Sequence, residues 1–259
     1  MTDLSAAPPA AALPAGWRGF AGRLEAVTLA AVLAAMMLLP LLVVPLRMVH
    51  VQISGQSSIV QHLTLLVGMI GAAIAARQGR LLTLSAVDQM VPERWRRPAR
   101  CLGAAVAGAV GVFLFLASVR FVQSERGAGG TLAYGVPVWL VQLALPIGFA
   151  LITLRLLWRA SDRWAWRGAT VALTALLVLV ATNPPLSAAQ LTVPAFLLLL
   201  LATVLGAPIF AMLGGAGLIL FWGDGSPIAS LTVDHYHLVT NPTLPTVPLF
   251  TLAGYLLAE

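Results

Sequence analysis

The chain has 259 residues, of which 59% are hydrophobic and 9% are charged. A soluble domain carries about 25% charged residues, so this composition excludes an ordinary soluble domain and indicates a polytopic membrane protein. The net charge of +6 comes from arginines in short segments beside apolar runs, which is the positive-inside pattern, and it excludes nucleic acid as a partner because no basic stripe on a soluble face is present.

Five apolar segments in the first 182 residues are predicted to span the membrane, because a span needs about 20 apolar residues. An Ala/Pro-rich cytoplasmic tail over 1–19 precedes them and is predicted to be disordered. The first four spans form one predicted domain, 20–160, whose small residues favour close helix packing. The fifth span lies in a connecting segment, 161–190. The predicted spans are 24–46, 59–76, 101–122, 136–158 and 168–182.

The arginines indicate which side of the membrane each loop faces. The loop between spans 2 and 3 carries six of them, and the turn after span 4 carries several more beside tryptophan, a combination typical of the membrane interface. Because these loops follow the even-numbered spans, the N-terminus is predicted to be cytoplasmic, in a bacterial inner membrane. The predicted interface anchors are Arg77, Arg80, Arg94, Arg96, Arg97, Arg100, Arg159, Arg163, Trp164 and Arg167.

Two further elements are predicted from hydrophobic patterns that are less regular than those of the five spans. Within 77–100, apolar residues recur at helical spacing from Leu81 to Val91, which predicts a short amphipathic helix in the interface. The apolar block 191–222 is too long for one perpendicular span and short for two. Glycines from Gly206 to Gly217 interrupt it, so it is one span plus the start of another, or a broken helix. A polar connection over 224–245 and a new apolar segment from about Thr246 follow.

No catalytic, cofactor or metal site is predicted. His235 and His237 stand two residues apart, but the further ligands that a metal site needs are missing, so a polar loop is the favoured interpretation. The central parts of the spans contain no Asp, Glu, Lys or Arg, which argues against a charge relay. Polar residues in or near the spans are predicted to hydrogen-bond between helices rather than contact a substrate: Gln61, Thr64, Ser118, Gln142 and Thr203.

Residues 20–160 contain several short motifs that are typical of a known family. They are the stretches 75–80 and 88–92 around the basic loop, 135–139 before span 4, and 145–148 inside it. This part of the chain resembles the small, DctQ-type membrane subunit of the tripartite ATP-independent periplasmic (TRAP) transporters, although Leu81 and Leu82 depart from the residues that the family often has after the loop glycine. The residues that carry the resemblance are Gly79, Asp88, Pro92, Pro137, Trp139, Pro146 and Gly148.

Residues 191–259 look like the start of the large, DctM-type subunit, and span 5 looks like the helix that joins the two subunits in fused permeases. The resemblance rests on Gly206 and Pro208, and on Pro245, Pro248, Phe250 and Gly254. It implies sodium-coupled uptake of organic acids, such as C4-dicarboxylates or other carboxylates. The implied partners are the large permease subunit, a periplasmic solute-binding protein and membrane lipids, and the implied energy source is the sodium gradient. The sodium and substrate sites are expected beyond residue 259.

Two alternatives to a transporter stay open from the residues alone. A polytopic anchor or assembly subunit of another complex, without transport activity, fits the lack of charge inside the spans equally well. An integral membrane enzyme would need His, Asp or Glu clustered at an interface, which the sequence does not offer.

Overall fold

The computed structural model of the chain describes residues 17–48, 55–83, 92–161, 163–184, 187–244 and 246–258. Within these ranges the protein is built of helices, and β pairing is limited to two isolated bridges, Thr83 with Pro208 and Thr131 with Pro137. The predicted all-α membrane fold is confirmed. The helices are α1 (Trp17–Met48), α2 (Gln56–Gln78), α3 (Glu93–Ala128), α4 (Val138–Gln142), α5 (Ala144–Arg159), α6 (Trp164–Thr182), α7 (Ala188–Val204), α8 (Ile209–Gly223), α9 (Ala229–Val239) and α10 (Thr246–Ala258).

Five stretches of the described chain are long and apolar enough to cross a membrane, and they coincide with the five predicted spans. Most of the helices extend beyond the predicted bounds, although the fourth span begins at Val138, two residues after its predicted start. α1 begins at Trp17, so residues 17–19 of the predicted tail are helical. α3 has 36 residues and is about 54 Å long, more than the roughly 30 Å of a hydrocarbon core, so it tilts or projects from the membrane. The tail over 1–16 and most of the predicted amphipathic helix, 84–91, lie outside the described residues.

The centre of the bundle is α3, against which α5, α6 and the later helices pack. More than half of its apolar window is buried, compared with 11% for α1 and α6. In a membrane, lipid tails are as apolar as the side chains, so helices associate mainly through close van der Waals packing. Small residues on α3 permit this packing because they let the backbones of neighbouring helices approach closely. A Cβ on Gly111 would lie 2.2 Å from Oγ1 of Thr153 in α5, and one on Gly108 would lie 2.7 Å from Leu157.

The fourth span, Val138–Arg159, has a local interruption of its helical hydrogen bonds at Leu143, between α4 and α5, although the backbone of Leu143 keeps a right-handed helical conformation. Pro146 lies four residues after Gln142 and has no N–H to donate to the Gln142 carbonyl, so the ladder of hydrogen bonds is interrupted there. The Gln142 side chain at this point is fully buried. Prolines within α1, in contrast, leave the helix continuous from Trp17 to Met48.

The apolar block after residue 190 is a helical hairpin. A Cβ on Gly215 would lie 2.9 Å from Leu199, and one on Gly223 would lie 2.6 Å from Thr192, so α7 and α8 run antiparallel. Their 17 and 15 residues give lengths of about 26 and 23 Å, shorter than a perpendicular span. The expected break near Gly206 is confirmed, and that residue has a φ of 95°. The expected interruption at 214–217 is wrong, because α8 runs through it.

The segment 224–245 is not a polar connection throughout. It contains α9, so His235 and His237 lie on a helix and the predicted polar loop is wrong at these positions. The helix forms because one face packs on the bundle, with Thr232 buried and Tyr236 against the core. α10 follows and exposes most of its described apolar side chains, among them Phe250 and Leu257.

Candidate functional site: the junction between the bundle and the following helices

The predicted interface anchors gather at one end of the bundle, which we call the arginine-rich end. It is formed by the C-termini of α2 and α5 and the N-termini of α3 and α6. Arg159 donates a hydrogen bond to the carbonyl of Arg77, and Sγ of Cys101 lies 4.0 Å from the carbonyl of Trp166. The first contact joins two arginines that lie 82 positions apart in the sequence.

One anchor of this end is an arginine between two indole rings. The guanidinium carbon of Arg167 lies 5.2 Å from the ring centre of Trp158 and 5.4 Å from that of Trp164. The two rings pack edge to face with centres 6.1 Å apart. Indole and guanidinium groups both favour the headgroup region, so this cluster fixes the turn between α5 and α6 at the membrane surface.

A cluster of charged side chains joins α1 to α2 and α5, and the sequence analysis did not predict it. Glu25 pairs with Arg155, and its other oxygen lies 3.4 Å from Arg77. Arg155 also donates a hydrogen bond of 2.7 Å to the carbonyl of Ala73. The sequence placed Glu25 at the edge of span 1 and Arg155 beside a turn. These residues come together only because α1, α2 and α5 pack against one another, and a local sequence pattern does not predict contacts between distant helices.

At the opposite end of the bundle, α9 docks on α2 through a buried hydrogen bond. Nε2 of His62 lies 2.6 Å from the hydroxyl of Tyr236, and Nδ1 of His62 lies 2.7 Å from the carbonyl of Ser58. The carbonyl can only accept, so Nδ1 donates to it, and in the tautomer that carries its proton on Nδ1 alone, Nε2 accepts from the tyrosine hydroxyl. His62 is only 7% exposed, so this hydrogen bond joins the two helices inside the protein. We call the His62–Tyr236 hydrogen bond the lock between α9 and α2.

Aromatic packing surrounds the lock. The Tyr236 ring lies 5.4 Å from Phe121 of α3, and His235 lies 6.0 Å from Phe149 of α5. Burial raises the pKa of Tyr236, with a further contribution from Glu125. The nearby Gln142 amide opposes this shift but does not reach hydrogen-bond geometry, since both of its polar atoms lack a partner. Burial lowers the pKa of His235, so its neutral form is favoured in the docked helix.

The tip of the hairpin docks at the arginine-rich end. The N–H of Ile209 donates a 2.9 Å hydrogen bond to the carbonyl of Leu82, beside the bridge between Thr83 and Pro208. Gly103 of α3 makes room for the tip, because a Cβ there would lie 3.3 Å from the Ala202 carbonyl oxygen. The hairpin and α9 therefore hold the bundle at both of its ends.

Most of the predicted interhelical hydrogen bonds are wrong. Ser118 and Thr203 bond to carbonyls of their own helix, and Gln61 bonds to Ser57 in the same helix. Thr64 also bonds to its own helix and reaches α1 only through a 3.5 Å contact with the sulfur of Met36. The sequence reading missed Thr174, whose hydroxyl donates to the carbonyl of Ala105 across α6 and α3 at 3.2 Å.

The residues of the family resemblance occupy structural positions. Gly79 ends α2 in the left-handed conformation, and Pro92, Pro137 and Pro208 directly precede α3, α4 and α8. Trp139 lies 5.4 Å from the guanidinium of Arg126. Pro146 interrupts the hydrogen bonds of the fourth span, Gly148 packs on Met69, and Gly206 turns the hairpin. Pro248, Phe250 and Gly254 lie in α10, with Phe250 and Gly254 exposed, whereas Asp88 and Pro245 lie outside the described residues.

The family model described as "Tripartite ATP-independent periplasmic transporters, DctQ component" matches residues 36–166. The chain belongs to the DctQ family. A comparison with curated protein sequences gives no match. The matched region runs from the middle of α1 to the start of α6, so the hairpin, α9 and α10 lie outside it.

Family membership gives the coarse function. DctQ proteins are membrane components of TRAP transporters and not enzymes, and they act with a DctM component and a periplasmic binding protein. A TRAP component with several apolar helices belongs to the inner membrane. Within the described residues, no group of three His, Cys, Asp or Glu side chains could hold a metal ion. The junction of the DctQ bundle with the hairpin and α9 is therefore the candidate functional surface.

Proposed function

We propose that this chain is the scaffold part of a fused TRAP permease that takes up organic acids with sodium. The organic acids are C4-dicarboxylates or other carboxylates, delivered by a periplasmic binding protein. Residues 191–259 are then the N-terminal part of the DctM-type domain, and 161–190, which contain α6, are the connecting segment. The observation that carries this proposal is the docking of the segment after α6 at both ends of the DctQ bundle.

Two physical arguments support the division of labour. A transport domain that moves across a bilayer needs a fixed partner to move against, and a bundle packed around the small residues of α3 is suited to that role. α10, by contrast, leaves Val247, Phe250 and Leu257 exposed. The proposed occupant of this apolar surface is the remainder of the permease.

The proposed orientation places the N-terminus and the arginine-rich end in the cytoplasm, because the basic loops follow even-numbered spans. In a Cys101→Ala background, Gly129→Cys is expected to react with an impermeant thiol reagent added to intact cells, and Glu93→Cys is expected not to react. Both positions are exposed, so access differs only by the side of the membrane. Labelling at Glu93 from outside would reverse the orientation.

Uptake in proteoliposomes tests the function. The proposed fused permease, in which this chain continues into a complete DctM-type part, is expected to accumulate a labelled carboxylate when its periplasmic binding protein is present and an inward sodium gradient is imposed. Residues 1–259 alone are expected to accumulate none, because we expect the sodium and substrate sites in the part of the DctM-type domain that lies beyond residue 259. Uptake that is independent of sodium would contradict the coupling. Absence of uptake with every carboxylate tested and with the binding protein present would favour an anchoring role in another complex.

A further inference from the structure

A cavity of about 380 Å³ opens at the arginine-rich end, between the bundle and the tip of the hairpin. Four parts of the chain form it: the end of α2 with the residues after it, the start of α3, the end of α5 and the α7–α8 turn. Its wall combines guanidinium groups with apolar side chains: Arg100, Arg159, Leu81, Leu156 and Leu205. A cavity of this kind would suit a ligand that has both an anionic group and an apolar part.

Arg159 supplies the polar side of the cavity. One of its nitrogens donates to the carbonyl of Arg77, and no carboxylate of the described residues lies within ion-pair distance of it. Its guanidinium fits against Gly79, where a Cβ would lie 3.2 Å from Nη2. Gly79 also has a φ of 70°, which favours glycine. The backbone therefore makes space for this side chain, and further N–H donors remain for a ligand.

The charge around the cavity selects an anion. Arg100, which makes other contacts within the protein, lies in its wall, and Arg80 is an exposed neighbour of Gly79. Guanidinium groups bind phosphate through paired hydrogen bonds, and basic residues at a membrane surface attract anionic lipids. A soluble anion would need only the arginines. The leucine wall, at the height where helices enter the membrane, also fits the glycerol and first methylenes of a lipid.

We propose that this cavity binds the phosphate of an anionic phospholipid, of the phosphatidylglycerol class, from the leaflet at the arginine-rich end. Arg159 holds the phosphate, and the lipid fills the gap between the DctQ bundle and the tip of the hairpin. This inference goes beyond the transport function and does not depend on it, since it concerns how the junction is held in the bilayer.

Native mass spectrometry of the purified chain tests the proposal with phosphatidylglycerol and phosphatidylcholine supplied in equal amounts. The wild-type protein is expected to retain phosphatidylglycerol preferentially. Arg159→Gln is expected to weaken this retention about fivefold, the factor that corresponds to about 1 kcal/mol for one arginine at a membrane surface. Arg126→Gln, at the opposite end of the bundle, should leave retention unchanged. Equal retention by the wild-type protein and Arg159→Gln would overturn the proposal.

A second pair of variants keeps every arginine. Leu81→Glu places a carboxylate in the cavity wall and is expected to lower phosphatidylglycerol retention, whereas Leu82→Glu, on the exposed neighbour outside the cavity, is the matched control. Equal effects of the two variants would mean non-specific surface charge and would refute the site. Inorganic phosphate and glycerol phosphate are added in separate samples. Displacement of the lipid by millimolar concentrations of either would assign the cavity to a soluble anion instead.

Discussion

Replacing Tyr236 with phenylalanine tests the lock between α9 and α2 while changing the shape of the side chain by one atom. The variant leaves Nε2 of His62 without its donor, in a ring that is 7% exposed. An unsatisfied buried acceptor costs about 1–3 kcal/mol. Since only the docking of α9 depends on this bond, we expect α9 to detach more often and the bundle itself to keep its stability.

Hydrogen exchange in detergent or nanodiscs measures this directly. A loss of 1 kcal/mol accelerates exchange that proceeds through detachment about fivefold, so a cost of about 1–3 kcal/mol should make the amides of 229–239 exchange about 5- to 150-fold faster in Tyr236→Phe. Tyr134→Phe is the control, because Tyr134 is 74% exposed. Adding His62→Leu to Tyr236→Phe should restore part of the protection, since both polar partners are then gone. Unchanged exchange in Tyr236→Phe, or fully additive losses in the double variant, would refute the reasoning.

Three further predictions concern the same packing. Burial lowers the pKa of His235 in the docked helix, so as the pH falls His235 becomes protonated at a higher pH when α9 is detached than when it is docked. Protection of the α9 amides should therefore decrease as the pH drops below about 6.5, and the decrease should be smaller in His235→Leu. Gly111→Val should destabilise the bundle by about 1–3 kcal/mol in an SDS-unfolding titration, whereas Gly68→Val, which meets open space, should not. In the same titration Glu25→Gln should cost about 1–3 kcal/mol, and Glu93→Gln, whose partner lies 3.9 Å away at the surface, under about 1. Equal losses in either matched pair would contradict the assigned contacts.

The sequence predicts the spans well because hydropathy over about 20 residues is a strong signal that tertiary context seldom reverses. The arginine-rich end follows for the same reason, since charge near an apolar run must stay at the surface. The family resemblance also comes from local motifs around Gly79 and Pro146, and the match over 36–166 supports it. The spans up to residue 182 can therefore be predicted largely from the local composition of the sequence.

The junction is different, because its contacts join residues far apart in the chain. His62 and Tyr236 are separated by 174 positions, and nothing around either one points to the other. α9 has only 11 residues, too few for a strong periodic signal, and it depends on burial against α3. Hydroxyl side chains misled the prediction in another way. In a helix, Ser118 and Thr203 reach a carbonyl four residues back more readily than a neighbouring helix.

A disulfide between Thr83→Cys and Pro208→Cys, in a Cys101→Ala background, tests most directly whether the hairpin docks on the DctQ bundle. The two residues form an antiparallel bridge, so their Cα atoms lie about 4.5–5.5 Å apart, within the range that a disulfide needs. With a protease site inserted between residues 184 and 187, cleaved protein should remain one band on a non-reducing gel and become two after reduction. Thr83→Cys with Ser226→Cys, beyond the far end of α8, should give two bands throughout. Two bands from the Thr83–Pro208 pair under mild oxidation, with the protein folded, would contradict the docked junction.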